Sequence, residues 1–366
     1  MTRKYLDMAL GILVLLIGLY FIVEGAVSVW HWKSHDTSLL YKAYHHLTAK
    51  KLEFPGVITD ERQITQFVPE MQKAGVAMGN VPFPELKTYK ASIFVDDAGC
   101  QVLRPNLQKT GLFLRTGLYE PLDPPSVFYD RDAVLSQDLQ QFLRLYGLDF
   151  HNMSTNESGE RLTVPTKERD RKVLIVGDSI AFGAMIDDSL TLASSLQNRD
   201  DLRQYLTISA PGLGSDAILC NLDRSGKRYR GRIEELIYFY SEDDLSEDPG
   251  VVAHLKSFVA EHGIKKVTVI YTPYLYNVAP QFTRYRGYRS ERIPTWFQEK
   301  AKLKSATDAA GFRWLDLGEI VVADSANFGT QFGILASYVD HGHLSAHGMA
   351  NLVKAYLSLE DVTSKP

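Results

Sequence analysis

The chain has 366 residues, of which 45% are hydrophobic and 23% are charged. This composition is sufficient for a large hydrophobic core and excludes a disordered chain. The formal net charge of -4 and the pI near 6.2 lack the basic excess that binding to a phosphate backbone requires. The sequence therefore indicates no nucleic-acid partner.

A long apolar segment occupies residues 8–30, where Glu24 is the only charged residue. A helix of about 20 apolar residues spans a bilayer, so residues 1–32 are predicted to form a single-pass membrane anchor. Arg3 and Lys4 precede the segment, which places the N-terminus in the cytoplasm and the following domain in the periplasm or outside the cell. A cleaved signal peptide is the alternative, but the segment is long and has a poor cleavage site.

The chain has two cysteines, Cys100 and Cys220, both in the part predicted to be exported. Oxidation is allowed there, so a disulfide between them is one interpretation. Two buried free thiols are the other, because the spacing of the cysteines implies neither a bridge nor a metal site.

Residues 33–170 form a membrane-proximal mixed region whose role the sequence does not reveal. Residues 133–146 favour a helix and residues 89–95 favour a strand. Residues 121–125 and 154–171 are rich in turn-forming and polar residues and are interpreted as loop or linker.

From residue 171 onward, short β-rich segments alternate with amphipathic helical ones. Five strands are predicted, at residues 172–176, 205–209, 236–240, 266–271 and 312–317. Helices are predicted at residues 190–197, 216–224, 250–262, 295–310 and 346–359. This alternation is typical of parallel strands joined by right-handed crossovers, and it predicts a flavodoxin-like three-layer αβα sandwich over residues 171–366. Functional residues of such folds follow the carboxyl ends of the strands.

The first predicted strand runs into Gly177, Asp178 and Ser179, which places a serine hydroxyl at that end of the sheet. A purely structural interpretation is available, because a glycine allows a tight turn and Asp178 and Ser179 are good helix caps. Capping and catalysis are compatible at such a position.

Asp340 and His343 lie three residues apart, just before the last predicted helix. With this spacing the carboxylate can fix the imidazole tautomer and leave the other ring nitrogen to accept a serine proton. Metal binding is the alternative, since His341 and His347 are nearby. No second cluster of ligands at suitable spacing occurs in the sequence, so neither a metal nor another cofactor is indicated.

Two further polar segments follow predicted strands. A glycine-rich loop containing Gly212 follows the second strand, where backbone amides can face an anion. The third strand runs into Ser241, Glu242, Asp243 and Asp244. Four polar loops are therefore expected to meet at one edge of the sheet.

This ordered set of motifs resembles the SGNH hydrolase superfamily, also called GDSL-type esterases and lipases, over about residues 171–360. The resemblance implies that Ser179 is the nucleophile, that Asp340 and His343 complete a catalytic triad, and that the backbone N–H groups of Ser179 and Gly212 form an oxyanion hole. Residues 156–161 also resemble the Asn-x-x-Gly-x-Arg lead-in of some bacterial members.

The third block departs from the family pattern Gly-x-Asn-Asp, because Asp243 replaces the asparagine that donates to the oxyanion. An ionised carboxylate there would repel the developing charge. Three arrangements would restore the site: a protonated Asp243, substitution by Asn277, or a hole made of backbone donors alone.

The resemblance implies an extracytoplasmic serine esterase acting on O-acyl esters, above all O-acetyl esters of a cell-envelope polysaccharide. Tyr274 and Asn277 are candidate substrate-binding residues, in a segment whose tyrosines and arginines suit stacking on sugars and contacts to hydroxyls or uronates. One alternative is an O-acyltransferase on the same glycans. Another is a catalytically degenerate scaffold in an envelope-glycan export or modification machine.

Overall fold

The computed structural model describes residues 57–58, 77–79, 94–97, 99–116, 126–130, 136–138, 140, 147–246, 250–278, 293–328, 337–338 and 342–363. The apolar segment at residues 8–30 and its predicted orientation lie outside the described residues. No helix in the described ranges is long and apolar enough to cross a bilayer.

The described residues before position 155 form two small β-sheets. In the larger sheet β5 pairs with β1, β6 and β7, and β2 pairs with β6, so that only the β1–β5 pairing is parallel. The smaller sheet is the antiparallel hairpin β3–β4. The strands are β1 (Val57–Ile58), β2 (Ala77–Gly79), β3 (Phe94–Asp97), β4 (Cys100–Leu103), β5 (Gln108–Thr116), β6 (Ser126–Asp130) and β7 (Gly147–Ser154).

The second half of the chain is built on a five-stranded parallel sheet with the order β12-β11-β10-β8-β9. Its central strands are apolar because both faces of the sheet are covered; in β8 every residue after the first is buried. The strands are β8 (Arg171–Gly177), β9 (Arg203–Ser209), β10 (Ile233–Ser241), β11 (Lys266–Thr272) and β12 (Arg313–Asp316).

Helices connect these strands and cover the two faces of the sheet with separate apolar clusters. One cluster contains Leu174, Leu236 and Phe258, and the other contains Ile175, Ile237 and Leu352. The helices are α1 (Ser179–Phe182), α2 (Leu192–Gln197), α3 (Ser215–Arg228), α4 (Val251–His262), α5 (Leu275–Val278), α6 (Ile293–Ala309), α7 (Leu317–Phe328) and α8 (Ala346–Thr363).

The predicted α/β fold with a five-stranded parallel sheet is confirmed. Helices α2, α3, α4, α6 and α8 correspond to the predicted helices, whereas α1, α5 and α7 were not predicted. The fifth strand ends at Asp316, one residue before its predicted end, because a new helix begins there. Asp316 Oδ1 accepts the N–H of Gly318 at 2.8 Å and so caps the start of α7.

The elements predicted before residue 171 agree less closely with the structure. The strand predicted at residues 89–95 corresponds to β3 only at its last two residues, and residues 89–93 lie outside the described residues. Most of the helix predicted at residues 133–146 also lies outside them. Residues 154–171 were predicted to be loop or linker. The two end residues belong to β7 and β8, no strand lies between them, and Thr155 and Arg161 form an antiparallel bridge.

Candidate active site

The candidate nucleophile lies in a sharp turn between β8 and α1. Asp178 is the N-cap of α1, and its Oδ1 accepts the N–H of Ile180 at 2.9 Å. At Gly177, a Cβ atom would lie within 2.8 Å of two neighbouring Cβ atoms, including that of Phe239 on β10. Only glycine fits this contact, so the turn is tight enough to place Ser179 directly beyond the carboxyl end of β8.

His343 reaches Ser179 from the segment before α8. Its Nε2 lies 2.8 Å from Ser179 Oγ, and both residues are partly buried. A bridge between Tyr338 and Leu344 closes the turn that carries the histidine. The distance is within the range over which an imidazole accepts a hydroxyl proton.

Tyr338 anchors the histidine turn to the end of β11. Its hydroxyl donates to the carbonyl oxygen of Pro273 at 2.9 Å. Complete burial raises the pKa of Tyr338 well above its usual value, and the nearby Glu242 carboxylate raises it further. The hydroxyl therefore remains protonated and continues to donate across the working pH range.

The remaining residues near His343 that the sequence singled out are Asp340, His341 and His347. Asp340 and His341 lie outside the described residues, so the role of Asp340 stays a prediction. His347 Nε2 lies 2.7 Å from Asp324 Oδ2 on α7 and is engaged there. Within the described ranges, no group of three or more histidine, cysteine or carboxylate side chains is arranged to hold a metal ion.

Gly212 is an exposed residue of the loop between β9 and α3, and β9 is the neighbour of β8 in the sheet. Its φ of +72° is in the left-handed region, which glycine adopts at little cost. The loop is therefore at the same edge of the sheet as Ser179. The backbone N–H groups of these two residues are the candidate oxyanion donors in the described part of the chain.

Two of the hydrogen bonds made by the polar block at the end of β10 reach the starts of α1 and α3. Ser241 Oγ donates to Asp178 Oδ2 at 2.7 Å, and Ser215 Oγ donates to Asp244 Oδ1 at 3.1 Å. The first bond fixes the carboxylate that caps the nucleophile helix, and the second joins the block to the start of α3. The sequence did not suggest either role. The side chain of Asp243 lies outside the described residues.

Glu242 organises the segment after β11. Its buried carboxylate accepts the backbone N–H of Tyr274 at 2.5 Å and the side-chain amide of Asn277 at 2.5 and 2.7 Å. The amide N–H group of Asn277 is therefore directed to Glu242. The Tyr274 ring packs beside Gly342, where a Cβ would lie 2.9 Å from Cε1 of the ring. Tyr274 thus lies next to the turn that carries His343.

A buried arginine from the first half of the chain holds the loop behind the nucleophile. Arg161 Nε donates to Asp188 Oδ1 at 2.7 Å. Its other nitrogens donate to the carbonyl oxygens of Phe182, Gly183, Ile186 and Asn152 at 2.8 to 3.2 Å. One guanidinium therefore fixes the end of α1 and the turn that follows it.

The Asn-x-x-Gly-x-Arg motif at residues 156–161 forms a tight turn that positions Arg161. Asn156 Oδ1 accepts the N–H groups of Ser158 and Glu160 at 2.9 and 3.0 Å. Gly159 has a φ of +77°, and a Cβ there would lie 2.2 Å from the carbonyl oxygen of Leu103. The motif was visible in the sequence, but the contacts of its arginine were not.

The β3–β4 hairpin is fastened to α3, the helix that follows the Gly212 loop. A disulfide joins Cys100 to Cys220, with Cα atoms 5.6 Å apart. Arg224 Nε donates to Asp97 Oδ2 at 2.6 Å, and the side-chain amide of Asn221 donates to the carbonyl oxygen of Gln101 at 2.9 Å. Of the two interpretations of the cysteines, the structure has the disulfide.

Comparison with protein-family models gives no match, and comparison with curated proteins gives none. Several solved structures are similar to about half of the chain. One is a lipolytic protein of the G-D-S-L family from Veillonella parvula, at 11% identity and a TM-score of 0.40, covering 53% of this chain and 100% of that one. Another is a lipase/acylhydrolase from Enterococcus faecalis, at 19% identity and a TM-score of 0.38, covering 54% and 98%. A third is a GDSL-like lipase from Bacteroides thetaiotaomicron, at 14% identity and a TM-score of 0.39, covering 55% and 93%.

Proposed function

We propose that this protein is a serine esterase in which Ser179 is the nucleophile and His343 is the general base. The observation that carries the proposal is the 2.8 Å approach of His343 Nε2 to Ser179 Oγ, at the carboxyl end of a parallel sheet. A serine is a weak nucleophile at its free pKa and needs a base within hydrogen-bond reach. Asp340 is assigned to orient the imidazole, as the spacing in the sequence predicts.

The reaction proceeds through an acyl-enzyme. His343 takes the proton of Ser179 as Oγ attacks the ester carbonyl, and the carbonyl oxygen becomes an oxyanion. The backbone N–H groups of Ser179 and Gly212 stabilise this charge. Collapse of the intermediate breaks the bond to the alcohol, which leaves with the proton from His343. Water, deprotonated by the same imidazole, then attacks the acyl-enzyme. The bond from the acyl carbon to Ser179 Oγ breaks, His343 returns its proton to Oγ, and the acid is released.

Active-site labelling tests the proposal. A fluorophosphonate probe is expected to modify the purified protein at Ser179, with fluoride as the leaving group. Ser179→Ala should abolish both labelling and turnover of p-nitrophenyl acetate, and His343→Gln should lower both by at least about a thousandfold. Ser189→Ala is the matched control, since Ser189 lies on an exposed turn where it contacts Asp187. Unchanged turnover in Ser179→Ala would refute the nucleophile.

The proposal extends to the compartment and the substrate. The Cys100–Cys220 disulfide supports an oxidising location, because such bonds persist outside the cytosol. The apolar segment at residues 8–30 supports attachment to the inner membrane with the catalytic domain in the periplasm. In that location, O-acetyl groups on an envelope polysaccharide are the proposed substrate.

Protease treatment of spheroplasts tests the location. The catalytic domain is expected to be digested in intact spheroplasts, whereas a cytoplasmic marker protein survives until the membrane is lysed. Protection of the domain in intact spheroplasts would contradict export. Release of acetate from purified envelope polysaccharide by the wild type, but not by Ser179→Ala, tests the substrate separately.

A further inference from the structure

A cavity of about 210 Å³ lies at the carboxyl ends of β11 and β12, between α5, α6 and α7. It is small beside the roughly 300–1,000 Å³ of pockets for drug-sized ligands, so it suits a single ring rather than a long chain. The cavity is lined by neither Ser179 nor His343, although Pro273 and Asn277 form part of its wall. Its other lining residues include Tyr271, Phe297, Lys300, Asp316, Glu319 and Val322.

The sheet topology places the cavity at a definite distance from Ser179. From β8, the strand order runs through β10 to β11 and then to β12 at the edge. Neighbouring strands are about 4.8 Å apart, so the cavity lies on the order of 10–15 Å from the end of β8 along the same edge. An acetyl group bound at Ser179 is too short to reach it. A group on the alcohol side of an extended ester can reach it.

The wall of the cavity has an exposed aromatic ring. Phe297 on α6 is 60% exposed, and Val322 on α7 is 48% exposed. Tyr271 does not offer a free face, because Trp314 stacks on it at 5.7 Å and Lys300 Nζ lies 5.1 Å from its ring centroid. Of these two rings in the cavity wall, Phe297 is therefore the one available for stacking.

Polar groups beside this ring give the cavity a defined charge. Lys300 forms an ion pair with the buried Asp316, and these two charges offset each other. Glu319 is exposed at the same wall, so the described lining residues together carry one excess negative charge. The Glu319 carboxylate would repel the carboxylate of a uronate. A neutral sugar can instead donate hydrogen bonds from its hydroxyls to Glu319, while the C–H face of the sugar ring packs on Phe297.

We infer that this cavity is a subsite for a neutral sugar ring of the glycan, bound at a distance from the acylated unit. The inference rests on the proposed esterase function and adds a substrate class to it. The envelope polysaccharide is then a neutral one in the stretch that contacts the enzyme. Phe297 is the residue that distinguishes such a glycan from a small ester.

The test compares Phe297→Ala with Leu202→Ala, which removes a side chain that is 69% exposed at the opposite end of the sheet. The substrates are O-acetylated cellopentaose, O-acetylated oligogalacturonate, p-nitrophenyl acetate and p-nitrophenyl octanoate. Phe297→Ala should raise the KM for acetylated cellopentaose about tenfold more than the KM for p-nitrophenyl acetate. Leu202→Ala should leave all four substrates unchanged. Glu319→Gln should improve turnover of the oligogalacturonate relative to cellopentaose.

Two results would overturn the inference while the esterase stands. One is an unchanged KM for acetylated cellopentaose in Phe297→Ala. The other is a selective loss on the octanoate, which would make an acyl chain the occupant. Should the wild type turn over no ester, calorimetric titration of cellopentaose into the protein tests the subsite alone. Binding that Phe297→Ala weakens would support the subsite, and absence of binding would refute it.

Discussion

The guanidinium of Arg161 forms a buried ion pair with Asp188, at 2.7 Å, behind the helix that carries Ser179. The same Asp188 oxygen accepts the N–H of Ser154 at the end of β7, at 3.0 Å. The turn after the nucleophile is therefore held from the first half of the chain. The region before residue 171 contributes to the geometry of the candidate site, whatever its further roles.

Arg161→Lys keeps the positive charge but removes the planar guanidinium with its several N–H donors. The carbonyl groups of Phe182, Gly183 and Ile186 then lose their hydrogen bonds from the guanidinium. We expect a loss of about 2–4 kcal/mol in the free energy of unfolding. At a temperature where the variant is folded, the rate of fluorophosphonate labelling at Ser179 should fall at least tenfold. Urea denaturation and labelling kinetics measure the two effects.

Arg171→Lys is the control for this change, because Arg171 pairs with Glu234 on the exposed surface at the start of β8. Exposed pairs contribute little, so the stability and the labelling rate of this variant should stay close to those of the wild type. A folded Arg161→Lys protein that is labelled as fast as the wild type would show that Arg161 stabilises the fold without positioning Ser179.

The sequence was sufficient to predict the parallel sheet because its strands are buried on both faces and appear as short, continuous apolar runs. The same logic placed Ser179 and His343 at one edge of the sheet. Apolar patterning did not predict α7, because Leu317 continues the apolar run of β12. The start of the helix is marked by the capping bond from the N–H of Gly318 to Asp316. Such a boundary depends on backbone geometry that apolar patterning does not record.

The first half of the chain was harder to interpret for a related reason. Its central strand β5 pairs with β1 and β7, which are distant from it in sequence, so no local pattern predicts the sheet. The contacts of Arg161 and the partners of Glu242 are also nonlocal. Asn277 illustrates the limit, because its sequence position suggested a free donor, whereas its amide N–H is directed to the Glu242 carboxylate.

Removal of the disulfide by Cys100→Ser together with Cys220→Ser should destabilise the protein. The two cysteines are 120 positions apart, and a bridge that closes so long a loop removes much entropy from the unfolded chain. We expect a loss of about 2–5 kcal/mol in the free energy of unfolding, measured by urea denaturation. Dithiothreitol should destabilise the wild type by a similar amount and leave the double variant unchanged. Equal stability of the two proteins under oxidising conditions would contradict the prediction.

His151 should make the protein sensitive to acid. Burial, and then the positive charge of Arg161, lower the pKa of His151 to about 3, although the nearby Asp187 opposes the shift. In the unfolded state the His151 imidazole therefore binds a proton below the ordinary histidine pKa of about 6.5. In the folded state the same imidazole stays neutral until about pH 3. Stability contributed by the neutral imidazole is complete above about pH 6.5 and declines between these values as the pH falls, by up to about 1.4 kcal/mol per pH unit.

His151→Gln cannot bind this proton, so its free energy of unfolding should fall less steeply between pH 6.5 and 4 than that of the wild type. Urea denaturation at several pH values measures the difference in slope. Parallel curves for wild type and His151→Gln would refute the assignment.

If the chain is the esterase proposed above, Asp243→Asn should raise its turnover number. In the motif order that resembles the SGNH hydrolases, this position matches the asparagine that donates to the oxyanion, and removal of one such donor slows acyl transfer by about a hundredfold or more. Replacing a carboxylate with an amide supplies a donor and removes a repulsive charge, so kcat for p-nitrophenyl acetate should rise at least about tenfold. Asp216→Asn, an exposed acidic residue in the first turn of α3, is the matched control and should leave kcat unchanged. A kcat that is unchanged or lower in Asp243→Asn would show that the oxyanion hole is completed by backbone donors, with the carboxylate serving another purpose.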